Sequence, residues 1–181
     1  MNYLSKNDVG GQFLREMALM ASKDVDKIEE EYGSYSVPEE WVIVSMDKES
    51  KKYFFAHESE AYEKYVTSIS VAPGENPYSA AEHENFRYAI LDQLTTQMEN
   101  SDDKYILTKA KGVFTEQDYP MYMFTLEAEE AEEGKIQATT LYYIVGEKRH
   151  IFINLTDFHG ENANGAEEAA QAIANSFVWN E

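Results

Sequence analysis

The chain has 181 residues, 43% of them hydrophobic and 27% charged, a composition that suits one globular domain and argues against overall disorder. With 34 acids against 15 bases the net charge is -19, and the arginines are only Arg15, Arg87 and Arg149. No Lys/Arg stripe is available to grip a phosphate backbone or an anionic bilayer, so nucleic-acid binding and membrane insertion are not expected. Cysteine is absent, which removes disulfides, thiolate zinc sites and thiol catalysis but leaves the compartment open.

From Gly11 to Tyr32 the chain reads as a helix, with Phe13, Met17, Met20, Val25 and Ile28 at near-helical spacing and Gly33 as its stop. Residues 1–32 are therefore expected to be an N-terminal helical extension, and 33–181 a single α+β domain. The first residues lack the apolar stretch of a signal peptide, so the expected location is the cytoplasm. A secreted or lipoprotein domain with its signal removed would read the same way.

A β segment follows. Tyr35 to Val37 leads into a turn at Pro38, and Trp41 to Met46 forms the next strand. Lys52 to Ala56 is a third, and Tyr65 to Val71 alternates until Pro73-Gly74, which is expected to end it. Ser79 and Glu82 then make a capping box for a helix reaching Met98, whose inner face is expected to carry His83, Phe86, Ile90 and Leu94. The second half reads as strands from Tyr105, from Tyr119 to Leu126, from Ile136 to Val145, and from Arg149 to Asp157. Gly146-Glu147 is the expected hairpin turn, with Gly146 supplying a positive φ. Asn162 to Gly165 introduces a last helix that presents Ala166, Ala169, Ala170, Ile173 and Phe177 inward. Strands interrupted by helices in this order predict an α+β fold, a largely antiparallel sheet sandwiched by helices.

Chemistry is sparse. Nucleophile-elbow, zincin and phosphate-loop patterns are all missing. The best local cluster is His150, Asp157 and His159, where two imidazoles and a carboxylate could hold zinc with an open position. A separation of seven puts His150 and Asp157 on opposite faces of a regular strand, so such a site needs a bulge or another element. A small metal-dependent hydrolase centred on these three residues is the alternative reading. His83 reads as a packed, hydrogen-bonded histidine. The acidic run from Glu127 to Glu133 reads as a solvated turn that discourages edge-to-edge sheet pairing. Tyr119, Tyr122, Tyr142 and Tyr143 fall on neighbouring strands, a surplus that suits a protein interface.

Two short signatures remain, Val37-Pro38-Glu39-Glu40-Trp41 and Ala174-Asn175-Ser176-Phe177. The first resembles the P-x-x-W opening of the PsbP/Mog-like superfamily, and the second that group's closing SF pattern. The order of elements between them also agrees, over about Gly33 to Trp179. The resemblance implies a sheet between helices and mostly non-enzymatic relatives: an extrinsic photosystem II subunit, a Ran-GTPase-binding factor, bacterial lipoproteins and type VI secretion effector chaperones. It carries over no functional residue. The favoured expectation is a bacterial-type, non-catalytic protein–protein binding module with no cofactor and no assigned metal or catalytic residue. Its partner is another protein, and the net charge favours a basic one.

Overall fold

Burial alternates along Arg149–Asp157 (β9): Ile151, Ile153, Leu155 and Asp157 are buried, with less buried residues between them. That period of two belongs to a strand whose faces meet different surroundings. The computed structural model describes residues 27–101, 104–160 and 162–181. The strands before β9 are β1 (Lys27–Glu30), β2 (Gly33–Ser36), β3 (Trp41–Asp47), β4 (Lys52–His57), β5 (Ser68–Glu75), β6 (Tyr105–Phe114), β7 (Pro120–Ala128) and β8 (Ala138–Gly146). The last strand, β10, is Val178–Trp179; the helices are α1 (Ala80–Asn85), α2 (Arg87–Glu99) and α3 (Ala166–Ser176).

Seven strands form one antiparallel sheet in the order β3-β4-β5-β9-β8-β7-β6, and a small sheet has the order β1-β2-β10. Helix α3 packs on one face through Ala166, Ala169, Ala170, Ile173 and Ala174, whose small side chains let it lie close to the strands. Beneath it lie Phe55, Ile69, Val71, Tyr142, Ile144 and the inward residues of β9. Helices α1 and α2 cover the other face, where Ile90 meets Tyr122, Phe124, Leu141 and Val145. The α+β sandwich of the sequence reading is what forms. Among the described residues no helix is long and apolar enough to cross a membrane.

The two signatures meet in space. Trp41 N–H donates to the Pro38 carbonyl at 2.9 Å, closing the turn, and the indole is buried edge-on to His57. Ser176 Oγ accepts from the Ser36 amide at 2.8 Å, which ties the end of α3 to β2. Asn175 Oδ1 accepts from the Glu116 amide at 3.1 Å and so holds the β6–β7 turn. Phe177 is fully buried, with its ring among those of Tyr32, Tyr119 and Trp179.

Several expectations change. Lys27–Glu30 is a strand paired with β2, so the helical reading fails at its C-terminal end; its remainder, up to residue 26, lies outside the described residues. Pro73-Gly74 does not end β5. Beyond Val71 the strand pairs with β9 alone, so Pro73 sits at a local edge where a missing N–H is tolerated. Gly74 is needed for space, because a Cβ there would lie 2.4 Å from His150 Nε2. The β8–β9 turn is Glu147-Lys148, with Gly146 paired to Arg149 and Lys148 taking the positive φ of 54°. Gly146 instead makes room for Trp179, whose ring atoms would stand 3.1 Å from a Cβ.

Candidate interaction surface

The His150, Asp157 and His159 cluster does not assemble. His150 lies on the α1–α2 side of the sheet, edge-on to Tyr143, and burial pushes its imidazole below the ordinary value. Asp157 faces the opposite side, about 23 Å along the strand at the usual rise. Its Oδ1 is already occupied, accepting from Thr67 Oγ1 at 3.2 Å and from the His159 amide at 2.8 Å. His159 is exposed in the loop beyond. No bulge interrupts the β8–β9 or β5–β9 ladder to bring these groups together, and no group of three potential ligands is disposed to hold a metal among the described residues. The metallohydrolase reading is overturned by this geometry.

His83 is a core residue with both ring nitrogens engaged. Burial lowers its proton affinity and raises the Tyr122 phenol to about 12, so the neutral imidazole and the protonated phenol are the stable pair. Tyr122 Oη then donates to Nδ1 at 3.1 Å, and Nε2 donates to Asn76 Oδ1 at 3.2 Å. Asn76 Nδ2 in turn donates to the Arg149 carbonyl at 2.9 Å, which fastens α1 to the sheet.

The four tyrosines singled out from the sequence are not the exposed ones. Tyr122 and Tyr142 are each 1% exposed, and Tyr119 and Tyr143 are partly buried. They alternate into the two cores instead of facing solvent. The most exposed aromatics among the described residues are elsewhere: Phe86 at 61%, Tyr88 at 67% and Phe114 at 48%.

Local backbone explains this cluster. Ser79 Oγ accepts from the Glu82 amide and the Glu82 carboxylate accepts from the Ser79 amide, so α1 starts with both halves of a capping box. The helix then breaks at Phe86, whose φ of -122° and ψ of 23° end α1 and begin α2. The expected single helix is thus two, and the break takes Phe86 off the inner face that simple periodicity gave it. Arg87 follows, and its guanidinium lies 4.9 Å from the Tyr88 ring centroid and 4.8 Å from that of Phe114 at the end of β6. The cation bridges the two rings and holds an aromatic surface together across elements.

Strand β6 continues that surface. It is the last strand of the seven, and Lys109 to Phe114 are all exposed. On the side of the sheet covered elsewhere by α3, it presents Lys109 and Lys111, in register with Thr125 and Met123. Neither lysine makes a salt bridge among the described residues. Towards its other end, Ile106 and Thr108 border a groove of about 560 Å3, which Glu127, Glu129, Asp157 and Glu167 also line. Part of the acidic turn therefore walls a concavity, whereas Glu130, Glu132 and Glu133 are exposed as expected.

The architecture defines a class of fold, the PsbP-like α+β sandwich. The solution structure of cyanobacterial PsbP (CyanoP) from Synechocystis sp. PCC 6803 superposes with a TM-score of 0.51 at 11% identity, covering 86% of this chain and 92% of that one. The crystal structure of LpqN, involved in cell envelope biogenesis of Mycobacterium tuberculosis, gives 0.54 at 9% identity, covering 93% and 95%. A scan against protein-family models finds no match, and a search of curated proteins by sequence finds none. At these identities the likeness concerns the fold, and function has to be argued from the surface.

Proposed function

We propose that this chain is a non-catalytic protein-binding module, and that it docks its partner on the surface formed by Phe86, Arg87, Tyr88 and Phe114 with the adjoining edge of β6. The observation that carries this reading is the exposed aromatic–arginine cluster. Phe, Tyr and Arg are the residues enriched at the centres of protein interfaces, and three large aromatic side chains held in water have no folding role that favours their exposure. The surface offers contact area and one fixed guanidinium, which suits association. The likeness to CyanoP and LpqN is compatible with such a role but does not choose the partner.

The expectation of a basic partner drew on the net charge of the whole chain. Along the β6 edge the charged side chains are Lys109 and Lys111, and Arg87 lies between the two rings, so contact there favours a neutral or acidic patch. Comparative capture from cells of the source organism tests the reading, using the full chain and a Phe86→Ser, Tyr88→Ser, Phe114→Ser variant. A protein retained by the first and lost from the second, with unchanged circular dichroism, supports the proposal. Identical retention by both refutes it.

A further inference from the structure

Resting on the reading above, we infer that the open edge of β6 from Lys109 to Phe114 takes an extended acidic segment of the partner as an eighth strand, with Lys109 and Lys111 pairing to its carboxylates. An edge strand presents unpaired backbone N–H and C=O groups, and long exposed edges are normally shortened, bulged or covered. Among the described residues the seven-stranded sheet has two such edges, and they differ. Strand β3 is broken mid-strand by a bulge between Ile43 and Ser45, follows Glu39-Glu40, and ends in Asp47. Strand β6 has its bulge near the start, between Leu107 and Lys109, which leaves Lys109–Phe114 in unbroken register with β7. That stretch of six residues is about 20 Å long, enough for a peptide strand to pair along it.

Charge chooses the occupant. Strand β6 itself holds no acidic residue, and the one carboxylate of β7, Glu127, is paired with Ile106, on the other side of the bulge from Lys109 and Lys111. Fields are screened over about 8 Å at physiological ionic strength, so along Lys109–Phe114 the two lysines of the strand weigh more than the distant acids behind the net charge of -19. Side chains two apart on an added strand point to the same face and would meet these lysines in succession. Beyond Val113 the same edge runs into Phe114 and its Arg87 contact, which offers an apolar end to the track. A second copy of this chain is a poorer occupant. Antiparallel pairing of two β6 edges would bring Lys109 and Lys111 of each copy together, and like charges across strands are destabilising.

The test uses a short blocked peptide alternating glutamate with valine, a second alternating lysine with valine, and the full chain at physiological salt. Hydrogen exchange should slow at Lys109–Phe114 amides with the acidic peptide only. A Lys109→Glu, Lys111→Glu variant should weaken that peptide at least tenfold and leave the circular dichroism unchanged. Equal protection by both peptides, or no protection of β6 at millimolar acidic peptide, overturns the inference. So does a Lys109→Thr, Lys111→Thr variant that dimerises in sedimentation while the acidic peptide leaves β6 unprotected, because the lysines would then serve only to keep copies apart. These outcomes leave the docking surface itself to be judged by the serine variant of the aromatic cluster, so the two readings fail separately.

Discussion

Phe177→Ala is the most informative change to the scaffold. The ring is fully buried, with centroid separations of 4.8 Å to Trp179, 6.3 Å to Tyr119 and 6.5 Å to Tyr32. Gly33 passes so close that a Cβ there would stand 2.9 Å from Phe177 Cζ. The ring therefore joins the small sheet, the end of α3 and β10, and neighbours packed this tightly from several elements cannot collapse fully into the space it leaves. Buried Phe→Ala changes cost about 3–5 kcal/mol. With a urea m-value of roughly 2 kcal/mol/M, the unfolding midpoint should fall by about 2 M. Phe177→Leu keeps most of the volume and should cost about 1.5 kcal/mol or less. Equilibrium urea unfolding followed by tryptophan fluorescence measures both, since Trp179 reports from the ring cluster itself. A loss below about 1 kcal/mol for the alanine variant would show that the closing signature does not anchor this core, and the reasoning would fail.

Three further outcomes follow from the same packing. His83 is held neutral by burial, with His150 pushing the same way and Glu82 and Glu147 opposing, and His150 is itself lowered by burial. The unfolded chain therefore takes up protons below the ordinary value of 6.5 that the folded chain refuses, so stability is full above that pH and declines as pH falls through it. Urea midpoints at pH 7.5 and 5.5 should show the decline, a smaller one is expected for His83→Gln, and a flat profile would count against it. Gly74→Ala should destabilise the fold or displace the His150 ring, because its methyl would stand 2.4 Å from Nε2; an unchanged melting temperature and an unchanged His150 NMR signal would contradict this. Phe114→Ser should change stability by no more than about 0.5 kcal/mol, as surface substitutions do, and a large loss would mean that the ring is structural.

Architecture was more legible in the sequence than function, and particular residues show why. Strand alternation places β9 correctly from Arg149 to Asp157, because one residue in two faces each core and the pattern survives in one dimension. The Pro38–Trp41 turn and the Ala174–Phe177 ending are legible for a similar reason, as each is a local joint. That they touch through Ser36 and Ser176, 140 positions apart, belongs to the fold. The errors lie where distant partners decide. Gly146 and Gly74 look like turn residues but are glycines for the sake of Trp179 and His150. Tyr122 and Tyr142 look like spare interface tyrosines until the sheet turns them into opposite cores. The candidate surface was nearly invisible, since Phe86 fits the inward face of a continuous helix and only the break at that residue puts it outside. Phe114 meets Arg87 only after β6 takes the far edge of the sheet.

The most direct test of the docking surface is position-resolved photo-crosslinking in cells of the source organism. A benzophenone amino acid is placed at Phe114 in one version of the chain and at Glu49, exposed in the β3–β4 turn, in another. The account predicts a discrete adduct from position 114, absent from position 49 and lost when Phe86 and Tyr88 are changed to serine. Adducts from position 49 alone, or an adduct from position 114 that survives the serine changes, would contradict it.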